Sequence, residues 1–173
     1  MNKQRVWLGI DPGITGAAAL VGQDGRKLVD VWDWSSLSSA KRRLLTWQGA
    51  YLVEAAGIES VWIYPRSGGG KRNIASANKL MRNLGQWEGL LHALSIPFLL
   101  VKPKSWQAVM LNMAGVAAAR GRGTKKRSLA AARAKWGGNS FRLEKHHNRA
   151  DAAWIAAYMT AYSASKVAFI NKL

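Results

Sequence analysis

Gly9-Ile10-Asp11-Pro12-Gly13-Ile14-Thr15-Gly16 follows directly on the apolar run of residues 6–10, so an acid, a proline and two glycines end a short strand within a few positions. Proline removes a ladder donor, and glycine accepts backbone angles that other residues avoid, so the exit from the strand is sharp. Asp11 then has two readings. In one, its carboxylate caps local amides in an Asx-type turn. In the other, a carboxylate at the end of a central strand holds a metal ion close to a phosphodiester.

The matching feature lies near the far end of the chain, in His146-His147-Asn148-Arg149-Ala150-Asp151-Ala152-Ala153. Asn148 is placed to cap a last helix carrying the apolar positions Ile155, Met159 and Tyr162. Asp151 would be its third residue, where an acid reaches back to the cap and favours the helix dipole. A metal-ligand role stands beside that reading. His147, four residues before Asp151, points to the same side near the helix start. Two adjacent histidines beside an acid, in a chain with only three, add weight to a ligand or proton carrier. There is no cysteine, so any metal must sit on oxygen or imidazole ligands, which favours Mg2+ or Mn2+.

Between these two motifs the order of elements reads β-β-β-α-β-α-β-α-α-α. Strands are expected at 6–10, 15–21 and 27–34, the last two joined through Asp24-Gly25. Ser38 or Ser39 is expected to cap a helix reaching about Ala56, with Gly57 just past its end. Val61-Trp62-Ile63-Tyr64 reads as a short strand stopped by Pro65. Leu80, Leu84, Trp87, Leu91 and Leu94 recur at helical spacing, as core or as a dimer seam. A strand at 96–101, a short helix at 106–113 and a basic helix ended by Gly137-Gly138 follow. Leading strands that then alternate with helices imply an α/β mixed sheet covered by helices. The 173 residues fit one domain, 1–173. No run of eighteen apolar residues is present, and the first strand is too brief for a signal peptide.

The formal charge is +17, and between Glu59 and Glu144 the only acid is Glu88. That stretch holds Arg66, Lys71, Arg72, Lys102, Lys104, Arg120, Arg122, Lys125, Lys126 and Arg127, the candidate DNA contacts. An ordinary solvated surface mixes signs. Phosphate neutralisation by nucleic acid explains the excess, and no membrane partner is expected, since no helix pairs a basic face with a broad apolar one. Of nine tryptophans, Trp7, Trp62, Trp87 and Trp154 read as core, whereas Trp106 and Trp136 lie beside basic residues as candidates for stacking on bases.

Taken in order and spacing, Gly9-Ile10-Asp11-Pro12-Gly13, the strand into Tyr64-Pro65, Lys102-Pro103-Lys104-Ser105-Trp106, Lys125-Lys126-Arg127-Ser128 and Arg149-Ala150-Asp151-Ala152-Ala153 resemble a phage-type RuvC-like Holliday junction resolvase of the ribonuclease H-like superfamily. The resemblance implies a ribonuclease H-like fold, with a five-stranded mixed sheet flanked by helices and its first three strands antiparallel. It implies a homodimer, and an acidic cluster holding two divalent ions. Asp11 would bridge the metals and Asp151 would ligate one, with His147 or Asn148 in the neighbouring position. Lys125 or Lys126 would be the basic residue near the scissile phosphate. The implied activity is that of a crossover junction endodeoxyribonuclease: two-metal hydrolysis of phosphodiesters in Holliday junctions or other branched DNA. The expected setting is cytoplasmic, in the host cell if the chain is phage-encoded.

The chain departs from the family pattern at Tyr64, where the family has a glutamate closing the fourth strand. A neutral phenol is a poor magnesium ligand. Glu59 is read as beginning that strand, at the wrong end, which leaves Glu88 and Glu144 as candidate substitute acids. The alternatives are a catalytically impaired branched-DNA-binding module and a nuclease of the same fold with another target. Retention of Asp11, His147 and Asp151 in so cationic a chain favours the enzyme.

Overall fold

Along β1 (Arg5–Asp11), Val6, Leu8 and Ile10 enter one hydrophobic core while Trp7 enters another on the opposite face, as the two-residue period of a strand requires. Asp11 therefore shares a face with Trp7 and Gly9. The computed structural model describes residues 3–61, 74–115 and 123–170, side chains of 74 and 164–170 excepted. β1 is central in a five-stranded sheet of order β3-β2-β1-β4-β5. β2 (Ala17–Gly22) and β3 (Leu28–Asp33) continue it antiparallel, whereas β4 (Leu52–Glu59) and β5 (Phe98–Val101) run parallel to it on the other side. This is the five-stranded mixed sheet with antiparallel leading strands that the resemblance implied.

Helices cover both faces. On one, Val6, Leu8, Ile10, Leu20 and Ile58 pack with Ala40, Leu44 and Trp47 of α1 (Leu37–Ala50) and with Leu84, Trp87 and Leu91 of α2 (Ile74–Ala93). Leu84, Trp87 and Leu91 of the expected stripe are thus core, with Leu94 packed against them and Leu80 half-buried, each fully buried leucine contributing about 1.5–3 kcal/mol. On the other face, Trp7, Ala17 and Ala19 pack with Trp106 and Met110 of α3 (Pro103–Met113), Leu129 and Ala132 of α4 (Gly123–Trp136), and Ala152, Ile155 and Met159 of α5 (His147–Ile170). Among the described residues, no helix is long and apolar enough to cross a membrane.

Two glycines let α5 lie directly on the sheet. A Cβ on Gly9 would stand 2.0 Å from the Ala152 carbonyl oxygen, and one on Gly57 would stand 2.8 Å from Met159 Cγ. Ala152, Ala153 and Ala156 supply small side chains on the facing helix, all fully buried. This contact carries the start of α5, and with it Asp151, toward the end of β1.

Four expected boundaries are corrected. Ser36, not Ser38 or Ser39, caps α1, accepting from the Ser39 amide at 3.2 Å. The helix stops at Ala50 rather than near Ala56, because residues 52–59 pair with β1 as β4. Gly57 is a point of close approach within that strand and caps nothing. The strand expected at Val61-Trp62-Ile63-Tyr64 is therefore displaced: β4 ends at Glu59, and Trp62, Ile63 and Tyr64 lie outside the described residues. Asn148 does not cap α5, which begins one residue earlier at His147.

Candidate active site

Asp11 closes β1 and is 8% exposed. Its Oδ1 accepts the Gly13 amide at 2.9 Å, so the Asx turn anticipated from the sequence is real. The turn is gripped from both sides of the sheet. Asn83 of α2 donates through Nδ2 to the carbonyls of Pro12 at 2.9 Å and Gly13 at 2.7 Å. Asn148 of α5 donates to the Thr15 carbonyl, and to Thr15 Oγ1 at 3.0 Å. The Asn148 amide is thus committed to Thr15.

β4 delivers a second acid at the same end. Ile58 pairs with Ile10 in parallel register, so Glu59 and Asp11 follow at adjacent strand ends. Trp106 of α3, fully buried, donates its indole N–H to Glu59 Oε1 at 2.9 Å. Glu59 thus ends its strand rather than beginning it, so a glutamate does stand at the end of the fourth strand. Of the two candidate substitute acids, Glu88 lies on α2 and Glu144 is exposed in a 3-10 turn (Glu144–His146) before α5.

Asp151 arrives from the first turns of α5. Its Oδ1 accepts the hydroxyl of Ser128 on α4 at 2.5 Å, in place of the helix-capping role the sequence allowed. Ser128 is itself fully buried and its carbonyl takes the Trp154 indole N–H at 3.1 Å. Trp154 therefore fixes the backbone from which Ser128 orients Asp151.

The three carboxyls feel one another. Burial raises the Asp11 pKa against the opposing pull of the Gly13 amide, Lys125 and His147. Burial, and then the charge of Asp11, push Glu59 up to about 7, against the Trp106 hydrogen bond and Lys125. Burial holds Asp151 well above the ordinary carboxylate range; Ser128 opposes this, and Asp11 and Glu59 reinforce it. Lys125 is the cation common to all three. Its Nζ lies 3.2 Å from His147 Nε2, and His147 Nδ1 lies 3.3 Å from the Glu144 carbonyl. An ammonium only donates, so Nε2 accepts and Nδ1 carries the proton toward Glu144.

Desolvated carboxyls, of which Asp11 raises Glu59 and both raise Asp151, make an oxygen-rich donor set suited to a hard divalent cation. Among the described residues, however, no three His, Asp or Glu side chains are gathered into a finished metal cage. One oxygen each of Asp11, Glu59 and Asp151 is turned to Gly13, Trp106 and Ser128. The acids fit the ion in kind, and closing on it would balance their repulsion.

No protein-family model and no curated protein sequence matches the chain. Solved structures do match it. Thermus thermophilus RuvC in complex with a Holliday junction substrate superposes with a TM-score of 0.66 over 92% of this chain and 96% of that one, at 18% identity. A second Thermus thermophilus RuvC structure gives 0.62 over 93% and 96%, at 19% identity. The chain has a RuvC-like fold.

In this RuvC-like fold β1, β4 and β5 are parallel, so Asp11, Glu59 and the Lys102 that follows Val101 all emerge at one end of the sheet. Lys125 faces the acids there, and Lys102, Lys104, Lys125 and Lys126 are all exposed. Lys125, Lys126, Arg133, Lys145 and His147 line a cavity of about 480 Å³ with Glu144 and Leu129. Arg66, Lys71, Arg72, Arg120 and Arg122 lie outside the described residues. The base-stacking expectation fails at Trp106, which is fully buried behind Glu59. Trp136 is half-buried and packs on Trp154 with ring centroids 4.6 Å apart, so it too belongs to the core. Sequence reasoning missed Glu59, Ser128 and Asn83. For Glu59 a signal existed: it is the last acid before a long basic stretch.

Proposed function

We propose that this chain is a divalent-metal-dependent, structure-selective endonuclease that cuts branched DNA, with the four-way junction as its substrate. The observation that carries the reading is the convergence of Asp11, Glu59 and Asp151, from β1, β4 and α5, beside Lys125 in a chain of charge +17. A protein that only bound DNA would gain nothing from burying three acids within a cationic surface. The junction assignment draws on the likeness to a RuvC solved with a Holliday junction substrate. With Glu59 at the end of β4, Tyr64 no longer favours an impaired binding module.

Asp11, Glu59, Asp151 and His147 would hold Mg2+ or Mn2+, the Asp11 charge acting on Glu59 and both acting on Asp151. The ions would polarise the phosphodiester and offset charge on the leaving oxygen. The protein's part is positioning. Gly13, Trp106 and Ser128 each aim one carboxyl, and Lys125 meets a phosphate oxygen at the rim. His147 Nε2 presents the lone pair that would take the ion once Lys125 turns to the phosphate. Lys102, Lys104 and Lys126 extend the cationic track at the same end of the sheet. A homodimer suits this substrate, because two sites related by a two-fold axis match the symmetry of a four-way junction.

The test incubates purified protein with four-way, three-way and linear duplex DNA in Mg2+, Mn2+ or chelator. Cutting of branched DNA only with metal is the expected result. Tight binding without cutting under every condition would return the protein to the class of binding modules.

A further inference from the structure

Asn83 sits within α2, 5% exposed, and its Oδ1 is buried without a hydrogen-bond partner. A buried amide in that state costs free energy that an apolar side chain of similar volume would avoid. What leucine cannot supply is the pair of donors that Asn83 gives to the Pro12 and Gly13 carbonyls. The Pro12 carbonyl belongs to the same peptide unit as the Gly13 N–H, and that N–H donates to Asp11 Oδ1. Asn83 Nδ2, the Pro12–Gly13 peptide and the Asp11 carboxyl therefore form one chain of hydrogen bonds. In such a chain the first donor polarises the carbonyl and strengthens the amide beyond it. Glycine at position 13 leaves this peptide free to rotate, so its plane must be held from outside.

We infer that Asn83 is a positioning residue: it fixes the plane of the Pro12–Gly13 peptide and through it the direction of the Asp11 carboxyl at the metal site. Its effect on cleavage rests on the nuclease reading, whereas the hydrogen-bond relay is independent of it. The hydrogen bonds of Asn83 go to the turn after Asp11 and not to Lys125, so the effect belongs in metal use and turnover and not in DNA affinity.

The experiment compares wild type with Asn83→Leu and with Asn83→Asp, which keeps the volume and serves if the first variant fails to fold. Amide exchange of Gly13 in metal-free, ¹⁵N-labelled protein is the direct readout. It should quicken about tenfold or more in the variants while Leu8 and Ile10 of β1 hold their protection. Mn2+ affinity by calorimetry and kcat on a four-way junction should fall about tenfold to a hundredfold, with KM for DNA unchanged. Unchanged Gly13 exchange, equal loss of protection throughout β1, or wild-type metal affinity would overturn the inference. If wild type cuts no branched DNA, the nuclease reading fails, and exchange and calorimetry still decide the role of Asn83.

Discussion

Asp11 and Glu59 close neighbouring parallel strands one step beyond the Ile10–Ile58 pair, on the face that α5 covers. Adjacent strands lie roughly 4.8 Å apart, so two carboxyls at matched ends cannot ignore each other. The Asp11 charge accordingly helps lift Glu59. Asp151, held by Ser128, joins them from the helix above.

Glu59→Gln keeps the volume and an acceptor for Trp106 but removes one charge. Junction cleavage in single-turnover assays should drop about a hundredfold or more, with folding intact. Glu88→Gln and Glu144→Gln should cut like wild type, and Tyr64→Glu should add nothing. Normal cutting by Glu59→Gln together with loss in either of the others would reassign the third acid.

Asp11→Asn retains an oxygen for the Gly13 amide, and Asp151→Asn one for Ser128. Both should abolish cleavage while leaving circular dichroism unchanged. Each removes a desolvated charge, so each should raise the Tm of metal-free protein at pH 8. A fall in Tm in both would mean that the carboxyls are structural.

The raised pKa values fix a sign for pH dependence. A carboxyl whose folded pKa exceeds its unfolded value stabilises the fold fully below the unfolded value and loses that contribution as pH rises through the folded one. For Glu59 the window runs from about 4.5 to about 7. In chelator, stability should therefore decline across that window, by up to about 3 kcal/mol from Glu59. Mg2+ or Mn2+ should restore Tm at pH 8 and do far less at pH 5, where the acids hold protons. A flat Tm in chelator across this range would contradict the electrostatics of the site.

Lys125, Lys126 and Arg127 lie in the first turns of α4, of which Lys125 faces the acids. Replacing all three by alanine should flatten the log–log salt dependence of junction affinity by roughly 2 to 3 units, near 0.9 for each phosphate no longer neutralised. An unchanged slope in fluorescence anisotropy titrations would place the DNA elsewhere.

The order of strands and helices, the sharp exit at Asp11, the Asp151 helix and the core stripe Leu84, Trp87, Leu91 were legible because each rests on local pattern: a run, a breaker, a period. β4 was not. Leu52-Val53-Glu54-Ala55-Ala56-Gly57-Ile58-Glu59 is built largely of small residues, since α5 presses on one face and α1 and α2 cover the other. Alternation is weak there, and alanines after a helix read as more helix. The slip placed Glu59 at the wrong end of a strand and drew attention to Tyr64 instead.

Trp106 shows the same limit in a side chain. Its basic neighbours at Lys102 and Lys104 pointed toward DNA, but α3 turns the indole inward onto Glu59 and leaves the lysines nearer solvent.

Composition and local order in this chain were enough for a cationic, cysteine-free α/β protein with acids at a strand end and a helix start. Which acids meet, and which groups aim them, depended on contacts between residues tens of positions apart. Glu59 meets Trp106 across 47 positions, Pro12 meets Asn83 across 71 and Ser128 meets Asp151 across 23. Such contacts follow from sheet register and from how closely α5 can approach Gly9 and Gly57, and no local period in the sequence encodes either.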